Sequence, residues 1–174
     1  MTFRNTRPQS DEHAEWPGKY IALVPDGDIA AAIKRQGEEV AALIASLTET
    51  QGDYRYAPDK WTLKEVIGHM ADGERVMAYR LLRFARNDLT ELPGFDENVF
   101  GAHAPFARYT LAELTADYQA VRAATLSLLA GLDEAAFSRR GLANHNTLSV
   151  RALAWIIAGH ELHHLNIIRE RYLH

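Results

Sequence analysis

Residues 149–173 read SVRALAWIIAGHELHHLNIIRERYL, a stretch in which apolar side chains recur every three or four residues. This spacing predicts an amphipathic helix whose apolar face packs against other helices. Ser149 precedes the first apolar residue, and a serine there caps the free N–H groups of a helix start. His160 and His164 are one helical turn apart and share a face with Leu153. The stretch therefore predicts a bundle helix that carries two inward-facing histidines.

Three earlier stretches show the same helical spacing of apolar residues. The predicted helices run from about Asp28 to Thr50, from Thr62 to about Asn87, and from Thr110 to Gly131. The second and third open with a threonine followed three positions later by a glutamate, the reciprocal capping box. A short helical turn is expected at residues 133–138, and no segment shows a sustained period-two pattern. We therefore expect an all-α four-helix bundle forming a single domain over residues 1–174, with residues 1–19 irregular and a long crossover between helices two and three.

The composition excludes several classes of protein. The chain has 174 residues, a formal net charge of −4 and no cysteine. Its lysines and arginines are scattered among acidic residues, so we expect no nucleic-acid partner. The lack of cysteine excludes disulfides, thiolate metal sites and a thiol nucleophile supplied by the protein. No stretch resembles a signal peptide or a membrane span, which predicts a cytoplasmic protein without membrane contact.

A third histidine, His69, lies near the start of the second predicted helix. If that helix packs beside the fourth, His69 can converge with His160 and His164 on one divalent cation and leave coordination positions free. The alternative is a pair of core histidines bonded to backbone carbonyls or water. Gly68 and Gly159 directly precede two of these histidines and cost about 1 kcal/mol each relative to alanine in a helix. They indicate either close helix packing or room for a ligand.

The string His160-Glu161-Leu162-His163-His164 also satisfies the HExxH pattern of zinc peptidases, in which the glutamate is the general base. Only ten residues follow it, however, and no edge strand is visible to hold an extended peptide. We therefore disfavour a peptidase and expect Glu161 to be solvated or to lie behind a metal ligand. His163 is turned about 100° from its neighbour on the helix and is expected at the surface or behind a ligand.

The chain resembles the DinB-like superfamily, specifically its DinB/YfiT-like group of small metal-binding bundles. The resemblance runs from about Tyr20 to Tyr172 and rests on four strings in this order: IALVPDGDI, RYAPDKWTLKEVIGHMADGERVMAYRLLRFARND, LPGFDEN and SVRALAWIIAGHELHHLNIIRERYL. It implies an up-down-down-up four-helix bundle, often a homodimer. It also implies a divalent metal, with zinc or nickel as the expected ion, held by histidines that fall here on His69, His160 and His164.

Three functions remain open at this point. The resemblance implies an enzyme that joins a low-molecular-weight thiol such as bacillithiol or mycothiol to a small electrophile, with the thiol as cosubstrate. The same metal could instead activate water to hydrolyse a small amide or ester. The third possibility is a non-catalytic metal-binding bundle of the stress response. In each enzymatic case the partner is a small molecule.

Further site residues are expected on the second helix and the crossover. Asp72 follows His69 by three residues and is a candidate for orienting it or for the pocket edge, whereas Arg80 is a candidate for binding a carboxylate of a thiol cosubstrate. Ordinary ion pairs on a bundle surface are the alternative for both residues. Phe95 and Asp96 are candidates for the rim of the cavity. The remaining histidines receive no role: His13, His103, His145 and His174.

Overall fold

The structure is a computed structural model that describes residues 6–173. The elements in this range are the helices α1 (Glu15–Leu23), α2 (Ile29–Ala45), α3 (Glu49–Gly52), α4 (Leu63–Ala85), α5 (Glu97–His103), α6 (Leu111–Ala130), α7 (Glu134–Phe137) and α8 (Val150–Arg171), and the strands β1 (Arg140–Ala143) and β2 (Asn146–Ser149). Short 3-10 turns lie at Ser10–Glu12 and Phe106–Arg108. Within residues 6–173, no helix combines the length and the apolar character needed to cross a membrane.

The four predicted long helices are confirmed as α2, α4, α6 and α8. Their starts follow the predicted caps, because Thr62, Thr110 and Ser149 each accept a hydrogen bond from a backbone N–H in the first turn. The first predicted helix is too long, since α2 ends at Ala45 and a capping box at Thr48 starts the separate turn α3. Caps satisfy the free N–H groups of one helix end through neighbouring residues alone, so they can be read from sequence.

Two clusters of buried apolar residues show the directions of the long helices. In one cluster Ile44, near the end of α2, packs with Leu63 and Leu114, near the starts of α4 and α6, and with Ile168, near the end of α8. The other cluster joins the opposite ends of the same helices. Helices α2 and α8 therefore run one way and α4 and α6 the other, which confirms the up-down-down-up path. The crossover between α4 and α6 must return the chain along the bundle, a distance of about 30 Å for helices of this length.

The expected irregular segment over residues 1–19 is wrong for its last part, which is helical, whereas residues 1–5 lie outside the described residues. Helix α1 begins at Glu15 and packs against α8, and its Pro17 lies in the first turn, where proline is tolerated. A Cβ at Gly159 would lie 2.1 Å from the Tyr20 carbonyl oxygen, so only glycine allows α1 to pack backbone to backbone on α8. Gly68 likewise faces the ring of Phe106, which a Cβ would approach to 2.4 Å. Close packing therefore accounts for both glycines.

A small antiparallel hairpin of β1 and β2 precedes α8 and was not predicted. Each strand has four residues, which is too short to display an alternating pattern. Asn144 and His145 form the turn with φ of 50° and 62°, the left-handed conformation that two-residue hairpin turns require. Backbone hydrogen bonds of 2.9 Å connect Leu92 to Leu142 and Asn144. The hairpin is thereby fixed beside the crossover, and together they close one end of a cavity.

Candidate metal centre and its cavity

The structure brings His69, His160 and His164 together. Helix α4 supplies the first and the neighbouring helix α8 supplies the other two. The Nε2 atom of His160 lies 3.2 Å from the Nε2 atoms of both His69 and His164, and the ligand nitrogens of all three lie within 4.8 Å of one another. Tetrahedral zinc with bonds of 2.0–2.1 Å holds its nitrogen ligands about 3.3 Å apart. The spacing therefore suits one shared cation.

The protonation state of the three rings also suits metal binding. His69 and His160 are buried, and His164 beside them is partly exposed. Burial lowers the pKa of His160 to about 3 and holds the pKa values of His69 and His164 below the usual range. The rings are therefore neutral at physiological pH, which is the form that ligates a metal. In the described part of the chain these three rings make no hydrogen bond to a backbone carbonyl, and the Nε2 atom of His160 instead faces the Nε2 atoms of the other two histidines.

Aromatic side chains and a glycine surround the histidines. The ring of Trp61 is centred 4.8 Å from that of His69, and the ring of Tyr20 is centred 5.4 Å from that of His160. A Cβ at Gly73 would come within 3.0 Å of the His160 ring, so glycine at this position leaves room for it. His163 is partly exposed and packs edge-on against Tyr20, outside the group of three. These contacts restrict the orientations of the His69 and His160 rings.

Glu161 is buried, so of the two positions expected for it, in solvent or behind a metal ligand, the solvated one is wrong. Its side chain accepts hydrogen bonds from the Tyr118 hydroxyl and from the Arg122 guanidinium. Arg122 also donates to Glu74 on α4 at 2.7 Å and to the carbonyl oxygen of Ile33 on α2. Burial raises the pKa of Glu161, whereas the carboxylates of Glu161 and Glu74 outweigh burial and raise the pKa of Arg122. Arg122 therefore connects all four long helices through one buried network.

This network bears on the peptidase interpretation of the HExxH string. A general base must point at the reacting water and be free to accept its proton. The Glu161 carboxylate instead lies between Tyr118 and Arg122, in the bundle core. The structure thus gives Glu161 a structural environment, in agreement with the sequence argument against a peptidase.

A cavity of about 400 Å³ opens beside His69 and His160. It follows the groove between α4 and α8 and is closed by α1, the crossover and the hairpin. Its lining combines apolar and aromatic side chains with a few polar groups: Trp16, Pro17, Tyr20, His69, Gly73, Met77, Arg80, Gly94, Phe95, Glu97, Ala143, Asn144, Asn146, Leu148, Leu153, Ile156 and His160. Such a volume and lining are typical of small-molecule sites.

The two candidate substrate-binding residues, Asp72 and Arg80, lie in different surroundings. Arg80 lines the cavity, as does Phe95. Asp72 does not; it pairs with Arg75 at 3.2 Å and lines a different pocket together with Glu113 and Asp117 of α6. Asp96 caps α5 by accepting a hydrogen bond of 2.8 Å from Asn98.

Glu97 and Tyr20 line the cavity but were not singled out from the sequence. Glu97 lies in the first turn of α5, where its negative charge raises the pKa of His69 in opposition to burial. Burial, aided by the same carboxylate, raises the pKa of Tyr20. Both residues belong to segments without a long helical repeat, so periodicity gives no signal for them. Glu74 and Arg122 did carry a signal, since each is charged yet lies in phase with the apolar face of its helix.

The other histidines lie away from the group of three. His145 pairs with Glu91 at 2.8 Å, and the Nδ1 atoms of His13 and His103 each lie 2.8 Å from a nearby backbone carbonyl oxygen. His174 lies outside the described residues.

The low pKa values predict that the metal-free protein loses stability in mild acid. His69, His160 and His164 stay neutral in the folded state, but each gains a proton in the unfolded state as pH falls below about 6.5. Unfolding is therefore favoured by about 1.4 kcal/mol per pH unit for each histidine that remains neutral. Urea unfolding of the metal-free protein between pH 7 and pH 5 measures this slope. The raised pKa of Glu161 has the opposite effect on stability as pH falls, so the wild type is compared with the His160→Gln variant. The free energy of unfolding of this variant should depend less steeply on pH than that of the wild type. Equal dependence in the two proteins would contradict the expectation.

Comparisons with known proteins agree with this architecture. A search of curated proteins gave no significant sequence match. Among solved structures, the chain is similar to YfiT from Bacillus subtilis, with a TM-score of 0.67 and 19% identity over 95% of this chain and 91% of that one. YfiT is described as a probable metal-dependent hydrolase with an unusual four-helix bundle topology, and at this identity the likeness shows the fold. The family model of the DinB superfamily matches residues 32–168. Because this match spans most of the chain and includes all three clustered histidines, the protein belongs to the DinB superfamily.

Proposed function

We propose that this protein is an enzyme that depends on a divalent metal held by His69, His160 and His164. The observation that carries the proposal is the convergence of three neutral imidazoles, two of which, His69 and His160, line a cavity of about 400 Å³. Structural zinc sites use four protein ligands, whereas catalytic sites use three and keep a position for water or substrate. Three imidazole ligands suit zinc or nickel, which are the ions we propose.

Such a cation would lower the pKa of a coordinated thiol or water toward neutrality, because neutral ligands do not offset its charge. The chain's own residues bind and orient the reactants. The rings of Trp61 and Tyr20 pack against those of His69 and His160 and restrict their orientations. For the proton acceptor we propose Glu97, because it is the carboxylate among the residues that line the cavity and its charge acts on His69.

For the nucleophile, we propose a low-molecular-weight thiol that is transferred to a small electrophile. The sulfur forms a bond to carbon, the leaving group departs with its electron pair, and Glu97 takes the thiol proton. Two points support a thiol from outside: the chain contains no cysteine, and its sequence resembles a group that includes thiol transferases.

Hydrolysis of a small amide or ester is the second candidate. Glu97 would then accept a proton from the attacking water, and the description of the structurally similar YfiT favours this chemistry for that protein. The non-catalytic alternative explains the three histidines but gives no reason for the cavity that opens directly beside them. A homodimer remains compatible with each of these proposals.

Turnover assays distinguish these candidates. The zinc-loaded and nickel-loaded proteins are incubated with 1-chloro-2,4-dinitrobenzene and a panel of thiols, and separately with 4-nitrophenyl acetate without thiol. Thioether formation that requires both thiol and metal supports transfer, and thiol-independent ester cleavage supports hydrolysis.

In either case Glu97→Gln should lower kcat by about 100-fold, the usual contribution of a general base. The control is Glu91→Gln, which changes a carboxylate outside the cavity lining and should leave kcat unchanged. No turnover above that of the metal-free protein would count against an enzyme.

A further inference from the structure

We propose that the ligand of this cavity is elongated, with an apolar body and an anionic end, such as a carboxylate, that binds Arg80 at the end away from the histidines. This inference rests on the proposed function, because it names the class of substrate that the same site would bind.

His69 and Arg80, which define the two polar ends of the cavity, lie on the same face of α4. His69 and Arg80 are eleven residues apart, which at 100° per residue brings them within about 20° of the same face of the helix. Their Cα atoms are therefore separated by about 16 Å along the axis. Gly73 and Met77 lie between them on the cavity wall. A ligand that contacts both ends has to extend along α4.

The middle of the cavity is apolar. Met77 lines it from α4, and Leu153 and Ile156 line it from the neighbouring α8. Phe95 lines it from the crossover, with its ring centre 5.9 Å from the guanidinium carbon of Arg80. Apolar walls favour a ligand body that removes hydrocarbon or aromatic surface from water. We therefore expect a charged group of the ligand to bind at Arg80 and not between these apolar walls.

In the part of the chain that the structure describes, Arg80 differs from the other arginines of α4 in lacking an ion pair. Arg75 pairs with Asp117, and Arg83 pairs with Asp88. Within the described residues no carboxylate lies within ion-pair distance of Arg80, which donates one hydrogen bond of 2.8 Å to the Pro93 carbonyl oxygen. A guanidinium has five N–H donors, so donors remain for a bidentate contact with a carboxylate.

The surroundings of Arg80 also favour an anion. Its side chain is half-buried, and burial lowers its pKa, which means that its charge lacks full solvation. A ligand carboxylate would supply the missing countercharge. The amide side chains of Asn144 and Asn146 line the cavity from the hairpin that closes it, and they add neutral hydrogen-bonding groups.

Binding of a simple probe pair to the metal-free protein tests this proposal. The probes are 4-phenylbutyrate and its neutral isostere 4-phenylbutanamide, and isothermal titration calorimetry gives their Kd values. Metal-free protein is used because a carboxylate can also ligate a metal. We expect the wild type to bind the acid at least tenfold more tightly than the amide, and Arg80→Gln to abolish this preference. Arg80→Lys should keep part of it, since the charge stays but the planar fork is lost.

The matched control is Arg86→Gln, which removes the same charge from the end of the same helix but outside the cavity lining. This variant should bind both probes as the wild type does. Equal affinity of the wild type for acid and amide, no measurable binding of the acid, or a preference that survives in Arg80→Gln would overturn the proposal. These binding measurements do not depend on turnover, so they test the ligand class separately from the proposed function. If the protein prefers the acid but shows no activity, the ligand class is supported and the proposed catalysis is wrong.

Discussion

Replacing Arg122 with alanine is expected to destabilise the protein by about 3–5 kcal/mol, the usual cost of removing one partner from a buried ion pair. Arg122 is 5% exposed, and its guanidinium donates hydrogen bonds to the carboxylates of Glu74 and Glu161, which are also buried. Its removal leaves two carboxylates close together without a countercharge. Urea unfolding followed by circular dichroism measures the change in the free energy of unfolding.

A surface ion pair provides the control for this substitution. Arg169 pairs with Glu39, and both side chains are nearly half exposed, so Arg169→Ala should cost less than about 1 kcal/mol. A similarly small effect for Arg122→Ala would show that the network contributes little to stability. Adding Glu74→Gln and Glu161→Gln to the Arg122→Ala protein should recover part of the loss, because the uncompensated charge is then removed.

Sequence periodicity predicted the long helices well because their signals are local. A helix repeats its apolar face every three or four residues, and a cap such as Thr62 with Glu65 depends on residues three apart. Helix α1 and the hairpin were missed for the opposite reason: each is short, and each exists through its packing on distant residues. Tyr20 contacts Gly159, for example, across more than a hundred residues of chain.

The candidate site was predictable in part. The spacing of His160 and His164 places them on one face of α8, but the approach of His69 depends on how α4 packs beside α8, and the family resemblance supplied that step. Arg122 could have been found from sequence, since it lies four residues after Tyr118 and three before Thr125 in the buried face of α6. Glu97 could not, because the path of the crossover alone brings it to the cavity.

Substituting any one of the three clustered histidines with alanine is expected to abolish stable metal binding. Replacing residues that merely orient a metal ligand lowers affinity by about 10-fold to 100-fold, so loss of a ligand itself should exceed that range. The wild type should retain about one equivalent of zinc or nickel after dialysis, as measured by mass spectrometry. His69→Ala and His160→Ala should retain almost none, even though they remove side chains from different helices.

A thermal measurement separates loss of the metal from loss of the fold. A ligand present at 100 times its Kd stabilises the folded state by about 2.7 kcal/mol, so added zinc should raise the Tm of the wild type. The histidine variants should unfold cooperatively but show no such rise. His163→Ala is the control, because His163 is adjacent to His164 in sequence yet lies outside the group of three; it should keep both its metal and the rise in Tm. If His69→Ala retained as much metal as the wild type, α4 would supply no ligand. The proposal of a metal site shared by α4 and α8 would then be wrong.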